Sequence, residues 1–152
     1  MQTKRRLIAI SVPLLILISL TTAGCGAAAS PTGPAKELAM ASMEGMPDDV
    51  KAAPVVVQQA YQFVVANPDV MSQIPCYCGC GKMGHKSNYA CYAKDAGEKG
   101  ELVFDTHALG CSICVDITQD VMRLTREGKS AQGIRAYVDA TYSKYGPSNM
   151  VD

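Results

Sequence analysis

Apolar residues recur at helical spacing in three stretches of this chain, and in one long stretch they keep no period at all. Val57, Tyr61, Val64 and Val65 fall on one face of a predicted helix that opens near Pro54, a residue tolerated in a first turn, and runs to about Ala66. Asn67-Pro68 stops it, and Pro68 then opens a short turn of helix over Asp69 to Gln73. Cys111, Cys114, Ile117, Val121 and Leu124 recur three and four residues apart, which predicts a helix from about Cys111 to Arg126, ended by Gly128. Ser130 reads as the N-cap of a last helix, with Ile134, Tyr137, Val138, Thr141, Tyr142 and Tyr145 as its apolar stripe and Gly146-Pro147 as its stop. Between Cys76 and Thr106, glycines at 79, 81, 84, 97 and 100 interrupt any period, apart from a short helix expected around Ser87 to Ala93. The expected fold is therefore mainly α: a small helical domain with a cysteine-rich loop inserted before the last two helices. A loop that long needs a function or a cross-link to hold it.

The N-terminus follows a different pattern. Lys4, Arg5 and Arg6 precede an apolar run from Leu7 to Leu20, broken by Ser11, Pro13 and Ser19, which is the pattern of a signal peptide. A membrane-spanning helix needs about 20 apolar residues, more than this run supplies. Thr22-Ala23-Gly24-Cys25 resembles a lipobox, so residues 1–24 are expected to be a leader cut before a lipidated Cys25. Thr22 stands where such boxes usually carry leucine, which leaves an ordinary secretory cleavage as the alternative. Residues 26 to about 47 are rich in Ala, Gly, Ser, Pro and Thr, a composition that buries little apolar area, so 25–49 reads as the lipidated cysteine and a flexible tether. Met40, Met43 and Met46 lie three apart within it, and a linker or helix face is the preferred reading over soft-metal capture. The domain is expected over 50–147, followed by a short tail at 148–152.

Composition narrows the function. The whole chain is neutral, and removing the leader leaves an excess of acidic side chains with no basic block, which excludes nucleic acid as a partner. The mature chain, about 128 residues, has room for one modest core. No arrangement of Ser, His and Asp or of paired carboxylates suggests hydrolysis, no nucleotide loop is present, and no catalysis is required.

Candidate chemistry sits in one stretch. Six of the seven cysteines and both histidines fall between Cys76 and Cys114: Cys76, Cys78 and Cys80 in Pro-Cys-Tyr-Cys-Gly-Cys-Gly, then His85, Cys91, His107, and Cys111 with Cys114 in Cys-Ser-Ile-Cys. Thiolate and imidazole are the ligands of soft and borderline metals. Cys111 and Cys114 at a helix start share one face, where the backbone dipole favours thiolates, and a turn at Gly79 would gather the three loop sulfurs around more than one metal. Eight ligands suffice for two tetrahedral zinc ions; six doubly bridging thiolates would serve about four three-coordinate copper(I) ions. Copper(I) is the first choice and zinc the next. Two other readings stand beside metal: three disulfides stapling a non-catalytic module, and a thiol oxidoreductase built on Cys111 and Cys114. Tyr77, Tyr89 and Tyr92 are expected to shield the sulfurs, while Asp105 and Asp116, which could orient His107 or nearby amides, read first as solvated.

From about Pro54 to Gly146, with Pro75-Cys76-Tyr77-Cys78-Gly79-Cys80, Gly84-His85, Cys91, His107 and Gly110-Cys111 with Cys114, the chain resembles the bacterial PCYCGC-motif lipoproteins, a family mostly of unknown function. The resemblance implies a membrane-tethered protein at the extracytoplasmic face of the cell membrane. Delivery of metal to an extracytoplasmic metalloprotein or oxidase subunit is an expectation from the ligands.

Overall fold

Pro54 holds φ −53° and ψ 146° and caps α2 (Val55–Ala66), which follows a single turn, α1 (Asp48–Lys51). In the computed structural model, which describes residues 36–95 and 101–150, α2 lies against α4 (Ser112–Arg126), and α4 in turn packs on α5 (Ala131–Tyr142). The expected periodicity is what these helices bury: Val57, Tyr61 and Val64 of α2; Cys114, Ile117, Val121 and Leu124 of α4; Ile134, Val138 and Tyr142 of α5. Each such aliphatic side chain stabilises the fold by roughly 1.5–3 kcal/mol relative to exposure. The stripe on α5 is narrower than expected, since Tyr137 and Tyr145 are 37% and 55% exposed. The ring of Tyr137 instead lies under the Arg123 guanidinium, 5.3 Å from its centroid.

Local signals set the ends. Gly128 adopts φ +74°, a left-handed conformation glycine takes without strain, and Lys129 N–H closes on Leu124 O at 3.0 Å to finish α4. Ser130 Oγ accepts from Gly133 N–H at 3.2 Å and starts α5. Pro68 opens α3 (Pro68–Met71), which stops short of the expected Gln73.

Two sequence expectations are corrected. The stretch between 36 and 47 is not a free tether. Its backbone bonds to the helices, Lys36 N–H to Arg126 O at 3.1 Å and Ala41 N–H to Gln62 O at 3.0 Å, while Asn67 Nδ2 donates to Ala39 O at 2.9 Å. Met46 is part of the buried core, and Leu38, Ala41 and Met43 pack against that core. A few apolar side chains at the right places suffice, although the average composition is that of a linker; Met43 and Met46 are used for packing. The second correction is β structure inside the cysteine-rich region: β1 (Ala93–Asp95) pairs antiparallel with β2 (Leu102–Phe104), Ala93 opposite Phe104 and Asp95 opposite Leu102. The expected short helix nearby is a single 3-10 turn, Tyr89–Cys91.

The fold class is mainly α, with the cysteine-rich region before the last two helices as expected. The expected leader, Cys25, the tether up to residue 35, the glycines at 97 and 100, and the last two residues of the tail lie outside the described residues. Among the described residues no helix is long and apolar enough to cross a membrane.

Candidate metal centre

Three elements bring the eight expected ligands together. The loop after Pro75 makes a turn at Gly79, φ +84°, and a second at Gly84, φ +85°, both in the region glycine favours. Between these turns the chain forms a 3-10 turn over Cys80–Met83. Cys91 sits on the next 3-10 turn, and the antiparallel pair β1–β2 then returns the chain so that His107 opens a third, His107–Gly110. Cys111 is the N-cap of α4 and Cys114 lies in its first turn, so that helix start faces the loop.

The sulfurs and imidazoles form one continuous cluster. Cys76 Sγ lies 3.4 Å from Cys78 Sγ and 3.4 Å from Cys114 Sγ; Cys78 Sγ lies 3.6 Å from Cys114 Sγ and 3.5 Å from His107 Nε2; Cys80 Sγ lies 3.5 Å from Cys91 Sγ. Four sets have ligand atoms within 4.8 Å of one another: Cys78, His107, Cys111 and Cys114; Cys80, His85, Cys91 and His107; Cys76, Cys78 and Cys80; and Cys76, Cys91 and Cys114. The first two are four-ligand sets of the kind a tetrahedral ion takes. They share His107, and Cys76 reaches ligands of both, so the sequence expectation of two separate zinc sites gives way to one joined centre. Cys76, Cys80, Cys91 and Cys114 are buried, and Cys78, Cys111 and His107 are half-buried.

The six cysteines among the described residues are free thiols. A disulfide needs about 2.05 Å between sulfurs, so the expected alternative of three disulfides is not the arrangement formed here. The thiol-oxidoreductase alternative on Cys111 and Cys114 would have to act on a fold other than a thioredoxin's, because the only sheet among the described residues has two strands.

His85 tests whether the donors suit a metal. Its Nε2 faces Asp105 Oδ2 at 3.3 Å, while Nδ1 is buried with no hydrogen-bond partner. A buried nitrogen without a partner is costly, and this one belongs to a ring within ligand distance of Cys80, Cys91 and His107. With Nε2–H donating to the carboxylate, Nδ1 carries a lone pair ready for a cation, an arrangement that orients many metal-bound histidines. Asp105 does more than the solvated role first expected of it: its Oδ1 accepts from His107 N–H at 2.8 Å, and its carbonyl accepts from the Tyr61 hydroxyl at 2.7 Å. Asp116 is exposed, as expected. Asp105→Asn would place an amide donor against His85 Nε2 and force the proton onto Nδ1. Metal affinity is expected to fall about 10- to 100-fold, as for other residues that orient ligands, with little change in the metal-free fold; chelator competition on both proteins checks it.

Charge is unevenly distributed over the thiols. Cys114 is pulled down from 9.0 to about 6, first by its hydrogen bond with Cys76 and then by that with Cys91. Burial pushes Cys78 well up, with the neighbouring Cys114 charge adding to it, and the bond to Cys114 does the same to Cys91. Cys76 is lowered too, its bond to Cys114 raising it but those to Cys80 and Cys91 lowering it further. The metal-free centre thus holds its negative charge chiefly on Cys114 and Cys76, and metal entry releases protons from raised thiols such as Cys78 and Cys91.

Several contributors were not legible as site residues. Asn88 is fully buried, donates from Nδ2 to Cys114 O at 3.4 Å, and has Oδ1 2.9 Å from Thr118 Oγ1, which is also 2.9 Å from the Tyr92 hydroxyl. This knot ties the Cys91 turn to the start of α4. Tyr92 is buried beside the cluster as expected, whereas the Tyr77 hydroxyl points away to Asp139 Oδ1 at 2.6 Å. Asn149, expected in the tail, hydrogen-bonds to the loop: Cys76 N–H donates to its Oδ1 at 2.7 Å.

Residues 14–150 match the family described as a protein of unknown function with PCYCGC motif. No curated protein matches the chain, and no solved structure does.

Proposed function

Because the chain belongs to the PCYCGC-motif family, whose function is unknown, the site must carry the reading, and we propose a lipid-anchored extracytoplasmic protein that binds soft metal for buffering or delivery. The carrying observation is the joined centre: six free thiols and two imidazoles, with Cys76 within ligand distance of cysteines from both four-ligand sets. Shared thiolates suit a polynuclear centre, and six sulfurs with no carboxylate within the ligand groups favour copper(I), with zinc next. The basic, apolar and lipobox-like start of the chain supports export and lipidation at Cys25. Half-burial of Cys78, Cys111 and His107 gives one side from which metal can pass to an extracytoplasmic metalloprotein or oxidase subunit.

A second reading, thiol exchange at Cys111 and Cys114, is favoured by the depressed Cys114 thiol. That thiol is buried, however, and an attacking thiolate must reach its substrate. Elemental analysis of the full chain, purified anaerobically in detergent after growth with added copper or added zinc, tests the reading. More than one ion per chain surviving gel filtration is expected. Metal-free protein that refuses copper(I) and shows no free thiols on denaturation would replace it with the disulfide-stapled module.

A further inference from the structure

The residues after α5 do not trail away. Gly146 brings the chain back against the loop so closely that a Cβ there would lie 3.0 Å from Tyr77 O, and at Gly81 a Cβ would lie 3.4 Å from the Cβ of Asn149. The chain past Gly146 thus lays Asn149, which is 9% exposed, against Gly81. Asn149 N–H donates to Cys76 O at 3.0 Å, and Cys76 N–H donates to Asn149 Oδ1 at 2.7 Å, so both backbone groups of Cys76 are held by this residue. Since Oδ1 must be the acceptor there, the amide orientation is fixed. Nδ2 then donates to Ser87 O at 3.1 Å and approaches Cys80 Sγ at 3.5 Å.

Resting on the metal-binding reading above, we propose that Asn149 is a positioning residue of the metal centre, which aims the Cys80 thiolate with a hydrogen bond from Nδ2 while clamping Cys76. A thiolate that accepts an N–H donor is held in one orientation and has part of its charge compensated, which a ligand needs when it is taken out of water. Aspartate at this position keeps the acceptor for Cys76 N–H and replaces the donor with a second oxygen facing the sulfur.

The test is a double-mutant cycle in the full chain, reading copper(I) affinity by competition with a chromophoric chelator. Asn149→Asp is expected to weaken binding at least about 10-fold, and that loss is expected to vanish in a Cys80→Ser background, where no thiolate remains to position. Unchanged affinity, or an equal loss in both backgrounds, overturns the proposal, because a merely structural effect would not depend on the Cys80 sulfur. If Asn149→Asp does not fold, Asn149→Ser, whose hydroxyl is too short to reach Cys80, is read in the same cycle. A parent protein that binds neither copper(I) nor zinc overturns the metal-binding reading and this inference with it, whereas a binding parent and an indifferent variant overturn the inference alone.

Discussion

Cys76→Ser is expected to cost the protein most of its bound metal, lowering the ions held per chain and weakening what remains by more than about 100-fold, beyond the range seen for residues that only orient ligands. Cys76 is fully buried, lies 3.4 Å from both Cys78 and Cys114, and shares ligand groups with Cys80 and Cys91 as well. Its sulfur, with Cys78, is where the loop half and the helix half of the centre meet, and it alone shares ligand groups with Cys78, Cys80, Cys91 and Cys114 together. A serine oxygen is harder and has a shorter reach, and buried without a partner it costs about 1–3 kcal/mol besides. Cys111→Ser, on the half-buried side, removes a ligand of one set only and is expected to cost less. Elemental analysis and chelator competition on the two variants compare them. Equal losses would mean that Cys76 is not shared.

Stripping the metal is expected to lower the melting temperature by on the order of 15 °C. An ion present at about a thousand times its dissociation constant stabilises the folded state by roughly 4 kcal/mol, and in a domain of this size each kcal/mol moves the midpoint by about 4 °C. The cost is local as well as thermodynamic. Without metal, His85 Nδ1 stays buried with no partner, and raised thiols such as Cys91 sit among like groups. A thermal scan of metal-loaded and chelator-treated protein measures it. A shift of only a few degrees would show that the helices carry the fold unaided.

The three main helices were legible because each buries one face against a neighbour, and burial imposes a period of 3.6 that sequence displays directly. Their ends were legible at Gly128 and Ser130, where a single residue does the chemistry of stopping or starting. The two strands were not: three residues each is too short for a period of two to show, and their pairing depends on what lies across the sheet. The segment 36–47 was misread because composition averages over a window, while burial is decided by single side chains: Met46 joins the core and Leu38 packs against it. The ligands were visible from residue type, but their joining was not. The span between Cys76 and Cys114 says nothing of a 3.4 Å contact, and the part played by Asp105 depends on β2 delivering it beside His85. Asn149 carried no pattern at all. A polar residue near a C-terminus is ordinarily solvated, and only the hydrogen bonds of the folded chain show Asn149 held against Cys76 and Ser87.

The long separations across the cluster also bear on how the chain folds. Cys76 meets Cys114 across 38 residues and Asn149 across 73, so these closures must pay loop entropy before the contacts they make repay it. Cys76, Cys78 and Cys80 lie within five consecutive positions and come within ligand distance of one another at almost no such cost. A metal ion caught first by this triad would turn the slowest search of the metal-free chain into capture of incoming ligands by a site already half built. The PCYCGC segment would then act as a folding nucleus, and the rate of folding would depend on metal concentration.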